Sequence, residues 1–177
     1  MRVSLIPSLL TGLKLNPAPS NSARVNLFEL DKIFPEEIYK LSGVSKGTDF
    51  RTFKGFIDLL LRRLNIKDSK IEFETKEGFW HPGKSATIKV GKAILGVYGE
   101  ISPQVLSNLS IKDVVFAFEL DVANLQRYSD KPVFTPIPEY PPQIEDITLT
   151  FPPKTRIGEV IRLLPNAELV DIYKDSY

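Results

Sequence analysis

The chain has no cysteine and only one histidine among its 177 residues. Without cysteine there are no disulfides, which fits a reducing cytoplasm, and without a second histidine or a thiolate no zinc site of three or four ligands assembles at suitable spacing. An excess of charge is also missing. Lysine and arginine number 23 against 22 aspartates and glutamates, a net charge of +1; a dedicated nucleic-acid binder carries a clear basic excess, so any RNA contact here is local. No apolar run is long enough to span a bilayer. Residues 1–15 hold an early arginine and an apolar stretch, but Pro7 interrupts it, Lys14 follows it and no small-residue cleavage site comes after. The segment predicts an amphipathic helix opened by Ser4, with Pro7 in its first turn.

What is present is 42% hydrophobic and 25% charged residues, enough to bury one good core with a small appendage. The most informative stretch is Gly78-Phe79-Trp80-His81-Pro82-Gly83-Lys84-Ser85-Ala86, followed after one strand by Ile94-Leu95-Gly96-Val97-Tyr98-Gly99-Glu100-Ile101-Ser102-Pro103. Pro82 disfavours helix at His81, and Pro82-Gly83 fits the central pair of a type II turn, so a chain reversal is expected there. Residues 85–90 then alternate as a half-buried strand, with Ala86, Ile88 and Val90 on one face and Thr87 and Lys89 on the other. Gly91-Lys92 suits a type II′ hairpin turn. The return strand, 93–98, is apolar on both faces, as inside a sheet covered on both sides. His81 reads as a structural strand-end residue beside a turn rather than as a catalytic base. Lys84 is as readily a solvated turn lysine as a ligand for a phosphate or an acidic partner. An enzyme built on His81 with Glu100 or Asp113 lacks a second catalytic group at diagnostic spacing.

Along the rest of the chain, residues 25–30 and 33–34 predict strands and 39–42 another, before a turn over 43–47. Asp49 is placed to cap the longest helix, whose Phe53, Ile57, Leu60 and Leu64 follow helical spacing opposite Arg51, Lys54, Asp58 and Arg62. Phe56, Leu59 and Leu61 widen that stripe beyond what one sheet face requires, which makes Phe56 and Leu59 candidates for a partner interface. Strands over 70–75 and 114–121 and a short helix after Ser102-Pro103 complete an antiparallel-leaning α+β arrangement. Phe28-Glu29-Leu30-Asp31 recurs as Phe118-Glu119-Leu120-Asp121, which strand preference and chance explain. Pro132, Pro136, Pro138, Pro141 and Pro142 make 131–142 an extended linker. Beyond it, a strand with Ile147, Leu149 and Phe151 on one face, a helix capped by Thr155 with Ile157, Val160, Ile161 and Leu164 in a stripe, and a strand over 168–173 predict β-α-β, the first half of a ferredoxin-like unit.

The order of these elements resembles the bacterial phenylalanyl-tRNA synthetase β subunit. Phe79 to Ala86 resembles its Phe-His-Pro-Gly-Arg/Lys-Ser-Ala element, and Gly99-Glu100-Ile101-Ser102-Pro103 its Gly-Glu-Leu-His-Pro element. Arg2-Val3-Ser4-Leu5-Ile6-Pro7-Ser8-Leu9-Leu10 is similar to Arg-x-Ser-Leu-Leu-Pro-Gly-Leu-Leu, Leu27-Phe28-Glu29-Leu30 to a Leu-Phe-Glu-Ile/Leu strand, and Asp49-Phe50 to an Asp-Phe helix entry. Tyr140-Pro141 to Asp146-Ile147 resembles the Phe-Pro-x-x-x-Arg-Asp junction into the anticodon-binding domain. Two departures stand out. Glu145 takes the place of the junction arginine and removes a positive charge, and Ser102 takes the place of the histidine in the second element.

The resemblance implies an α+β fold with a class II synthetase-like antiparallel sheet and flanking helices over 1–130, the 131–142 linker, and a truncated ferredoxin-like anticodon-binding domain over 143–177. It further implies an excerpt of a longer protein, in which Phe79, His81, Pro82, Gly83, Lys84, Gly99, Glu100, Pro103 and Asp146 are structural motif residues with no catalytic, cofactor or metal role. The parent assembly is an (αβ)₂ phenylalanine-tRNA ligase of the cytoplasm, whose α subunit uses ATP and magnesium to charge tRNA(Phe). Class II chemistry needs arginines that neutralise the α- and γ-phosphates, and the strand 25–31 offers Glu29 without the Arg-x-Glu pattern that follows in such enzymes. The fragment is therefore expected to bind no ATP and to be inactive alone. Its expected partners are the α subunit, through Phe56 and Leu59, and tRNA(Phe) in the whole enzyme, with no membrane or DNA. The alternative from another class is a stand-alone RNA-binding or adaptor protein.

Overall fold

In the computed structural model, the described residues are 2–16, 24–72, 78–132, 134, 136–137, 139–141, 143–152, 155–164 and 166–173. The chain divides into two compact units, Met1–Phe134 and Thr135–Tyr177. In the first, alternating apolar segments form six strands: β1 (Val25–Ile33), β2 (Ile38–Lys46), β3 (Ser69–Glu72), β4 (Trp80–Val90), β5 (Ala93–Ile101) and β6 (Val115–Asp121). They make one sheet in the order β1-β2-β6-β5-β4-β3, with every neighbouring pair antiparallel. Four helices accompany it: α1 (Ile6–Leu15), α2 (Phe50–Arg63), α3 (Pro103–Asn108) and α4 (Val122–Tyr128).

Successive strand residues point to opposite faces, and both faces are buried. On one side Phe116, Leu120, Tyr98, Ala86 and Ile88 pack with Phe53, Ile57 and Leu61 of α2 and Leu125 of α4. On the other, Val115, Ala117, Val44, Trp80 and Ile101 pack with Ile6, Leu9, Leu10 and Leu13 of α1 and Leu106 of α3. The expectation for 93–98 holds, since β5 lies between β4 and β6. Burial on both sides corrects the half-buried reading of 85–90: Thr87 is fully buried opposite Val97. Gly91 has φ +58° and Lys92 has no positive φ, as a type II′ turn requires.

Several element boundaries differ from expectation for identifiable reasons. Residues 25–33 form one strand, and the β1–β2 connection is only four residues long, with Ile33 opposite Ile38. Gly43 is not in a turn but mid-strand in β2; a Cβ there would come within 2.5 Å of the Phe118 ring, so this glycine serves a close approach between strands. At α2 the cap is as expected: Asp49 Oδ1 accepts from the Thr52 amide at 2.9 Å. The buried stripe of α2 is Phe53, Ile57 and Leu61, while Leu60 and Leu64 are half-buried. Strand β3 ends at Glu72; residues 73–75 of the expected strand lie outside the described residues.

The recurring tetrapeptide occupies matched positions. Phe28 and Phe118 both lie opposite Gly43, Glu29 and Glu119 opposite Ser42, Leu30 and Leu120 opposite Leu41, and Asp31 and Asp121 opposite Lys40.

In the second unit, described by itself, the only helix among the described residues is α5 (Ile157–Leu163), and neither 143–152 nor 166–173 forms a strand. The α5 cap position is Arg156, whose side chain makes no capping hydrogen bond, not Thr155. None of the unit's described residues is buried, and only Val160 and Leu164 are half-buried.

Candidate functional site

The His-Pro-Gly-Lys segment does not reverse the chain. Strand β4 runs through it, and the ladder to β5 passes from Trp80 opposite Ile101 to Ser85 opposite Gly99. Residues 81–84 thus face Glu100 alone and are extruded as a wide bulge, which Gly83 permits with φ +82°. The reason the turn reading fails lies on the partner strand. Gly99 brings β5 so close that a Cβ there would meet the Lys84 carbonyl at 2.5 Å and Ser85 Cα at 2.6 Å, which holds the bulge against the sheet. The Ser102 amide donates to the Phe79 carbonyl at 2.8 Å and closes the base of the bulge.

Two of the motif side chains meet here. Lys84 Nζ donates to Glu100 Oε2 at 2.9 Å, and the glutamate side chain is only 10% exposed against 58% for the lysine. A cavity of about 340 Å³ opens beside them, lined by Phe50, Gly83, Lys84, Ser85, Ala86, Glu100 and Phe116. Phe50, the first residue of α2, stacks on Tyr98 at 6.2 Å and tilts against Phe116 at 5.9 Å. Beneath it the Tyr98 hydroxyl is buried without a hydrogen-bond partner. Its pKa is pushed up to about 12, first by burial and then by the charge of Asp58.

The other motif residues do different work. His81 Nδ1 donates to the Pro82 carbonyl at 2.6 Å, so the ring fastens the bulge to itself. Phe79 packs on Trp80 at 5.3 Å and joins the cluster under α1. Pro103 opens α3, where its missing amide is harmless. Asp146 is exposed in the second unit. Phe56 and Leu59 are 41% and 46% exposed on α2 and do not line the cavity. Asp113 pairs with Lys46 at 3.4 Å and Glu100 with Lys84, so neither carboxylate is engaged with His81. Sequence reasoning missed Phe50 and Phe116 as lining residues. The Asp49 cap marks Phe50 as the helix entry, but an aromatic within β6 carries no signal beyond that of a core residue.

The donor set does not fit a nucleoside triphosphate. Its sole cation is Lys84, already held by a carboxylate, and Glu100 stands where phosphate oxygens would need positive charge. Among the described residues no group of three or more His, Cys, Asp or Glu converges as a metal site, and no helix is long and apolar enough to cross a membrane.

Residues 1–122 match the family profile described as the phenylalanyl tRNA synthetase beta chain CLM domain. The chain belongs to this phenylalanyl-tRNA synthetase β-chain family. Relatives of this β-chain member include the phenylalanine–tRNA ligase beta subunits of Moorella thermoacetica, 32% identical over 96% of the chain and 25% of that protein, and of Bacillus subtilis, 29% identical over 100% of the chain and 26% of that protein. The β-chain member described here thus spans about a quarter of the length of these relatives. In fold it is similar to pyrrolysyl-tRNA synthetase from Desulfitobacterium hafniense, with a TM-score of 0.56 at 14% identity over 71% of this chain and 48% of that one.

Proposed function

We propose that the chain is a non-catalytic part of the β subunit of a cytoplasmic phenylalanine-tRNA ligase, in which residues 1–130 form a catalytic-like module that packs on the α subunit. The observation that carries this reading is a synthetase-like sheet whose cleft offers one neutralised lysine and no arginine among its lining residues. Such a cleft cannot hold the phosphates on which adenylation depends. ATP and magnesium are then bound by the α partner, and tRNA(Phe) by the complete assembly.

The exposed Phe56 and Leu59 on α2 supply apolar surface for that partner. Residues 143–177 form the first half of a ferredoxin-like anticodon-binding domain, joined by the 131–142 linker, and the apolar residues exposed in 144–173 are those that the rest of such a domain covers. The test pairs two measurements on the full chain. Phenylalanine-dependent pyrophosphate exchange stays at background without the α subunit, and the chain co-purifies with its cognate α subunit. Phe56→Asp and Leu59→Asp weaken that co-purification with the fold intact. Exchange above background, or co-purification indifferent to both substitutions, would overturn the reading.

A further inference from the structure

We propose that the cleft under the β4 bulge binds a guanidinium group on an apolar stem, the chemistry of an arginine side chain, which takes the place of Lys84 on the Glu100 carboxylate. This goes beyond the partner role above and does not depend on it.

The two members of the internal pair are held unequally. Glu100 lies within β5 opposite Phe116, its side chain is nine-tenths buried, and of its two oxygens only Oε2 accepts a hydrogen bond from a described residue. Lys84 sits on the extruded bulge with more than half its side chain exposed. Letting Lys84 go returns an ammonium to water, whereas stranding Glu100 leaves a desolvated carboxylate without a cation. The acid is therefore the fixed half of the site, and the cleft beside it selects for positive charge. An anion entering the same space meets the Glu100 carboxylate and is repelled.

An incoming ammonium gains nothing over the one it displaces. A guanidinium does, because its planar fork donates to both carboxylate oxygens at once and it is more weakly hydrated, so it loses less on entering a desolvated site. Its flat face also stacks on aromatic rings. The cleft supplies those rings: Phe50 and Phe116 line it beside Ala86, with Phe50 backed by Tyr98 at 6.2 Å and Phe116 backed by Phe53 at 5.5 Å. Phe50 is still 39% exposed, so part of its surface is left for a ligand. At about 340 Å³ the space is within the range of small-ligand pockets. One fixed carboxylate among aromatic walls matches a guanidinium with its methylene stem better than a compact, strongly hydrated cation.

The test is an amide-resolved NMR titration of the full chain with Nα-acetyl-L-arginine amide as probe, beside the blocked lysine, which carries an ammonium, and the blocked citrulline, which keeps the planar shape without the charge. Saturable shifts are expected at the amides of Phe50, Lys84, Ser85, Glu100 and Phe116 with the arginine compound, and binding of the other two at least about tenfold weaker. Lys84→Met removes the internal competitor and should tighten arginine binding by about threefold or more, opposite in sign to a lysine that holds the ligand. Glu100→Gln should abolish saturable binding. Free L-arginine should bind within about threefold of the blocked compound, as for a side chain presented by a polypeptide; binding about tenfold tighter would assign the same guanidinium site to a small molecule instead. If Lys84→Met fails to fold, the three blocked compounds on the unsubstituted chain decide. No saturable shift at these amides by about 20 mM ligand, equal binding of the lysine or citrulline compound, or unchanged or weaker arginine binding in Lys84→Met would overturn the proposal.

Discussion

Phe-Glu-Leu-Asp stands in β1 and again in β6, flanking the same four residues of β2 in the same register, yet the two copies live under different conditions. In β6 the leucine is 0% exposed in the core under α2, while in β1 Leu30 is 56% exposed and Phe28 is 78% exposed. The glutamates differ as well. Glu119 Oε2 accepts from Ser4 Oγ at 2.8 Å, the Leu5 amide at 3.0 Å and Ser42 Oγ at 2.9 Å, and so anchors the entry of α1. Glu29 Oε1 takes only the Arg2 guanidinium, at 2.7 Å near the surface. Asp121 caps α4 through the Asn124 amide and pairs with Lys40, whereas Asp31 shares Arg2 with Glu29. The comparison teaches that a strand's residue types specify its pairing, and that its place between edge and centre decides what each side chain is worth.

The largest expected contrast is between the two leucines. Leu120→Ala should destabilise the first unit by about 3 kcal/mol through lost burial and a cavity, and Leu30→Ala by less than about 0.5 kcal/mol, as read from urea midpoints at unchanged slope. Equal losses would mean that strand pairing, not the helix layer, sets stability. Next come the glutamates: Glu119→Ala should cost about 2 kcal/mol because three donors lose a charged acceptor, and should speed exchange of the Leu5 amide, while Glu29→Ala costs no more than about 1 kcal/mol.

Third, Asp121→Ala should cost about 1 kcal/mol by uncapping α4, visible as faster exchange in residues 122–128 with β6 still protected. The smallest effect is acid sensitivity at Asp31. Its carboxyl is held below the ordinary aspartate value by the Lys32 amide first and then by Arg2, so it favours the folded state above the unfolded pKa of about 4 and loses that contribution as pH falls through the lower folded value. Asp31→Asn should therefore flatten the fall of stability with acid below about pH 4. Because the side chain is more than half exposed, the change should be the smallest of the four; a larger loss than that of Asp121→Ala would show that the Arg2 clasp is a principal anchor of α1.

Much of the first unit was legible because its signals are local. The Asp49 cap, the Pro103 helix start, the Gly91-Lys92 turn and the two-sided apolarity of β5 each rest on residues within a few positions of one another, where capping, φ restriction and alternation act. The candidate cleft was legible only in part. Lys84 and Glu100 stood out in separate motifs, but nothing in their spacing announces that a four-residue bulge places them in contact. Gly43 misled for the same reason: a glycine that serves as a turn and one that yields room to Phe118 look alike until the neighbouring strand is known. The two segments flanking α5 alternate as strands should, yet form none, because alternation prepares a face and only a neighbour supplies the ladder.

By itself the sequence determined most of the strands of the first unit, the Asp49 cap, the Pro103 helix start and the order of motifs that marks the β-chain family, since these follow from short-range sterics, hydrogen bonding and periodicity. Only the tertiary structure decided which copy of Phe-Glu-Leu-Asp became core and which became rim, which face α2 covers, and that Lys84 meets Glu100 beside an aromatic-walled cleft. Burial and charge pairing depend on what approaches from across the sheet, and that is a property of the packed chain rather than of any segment of it.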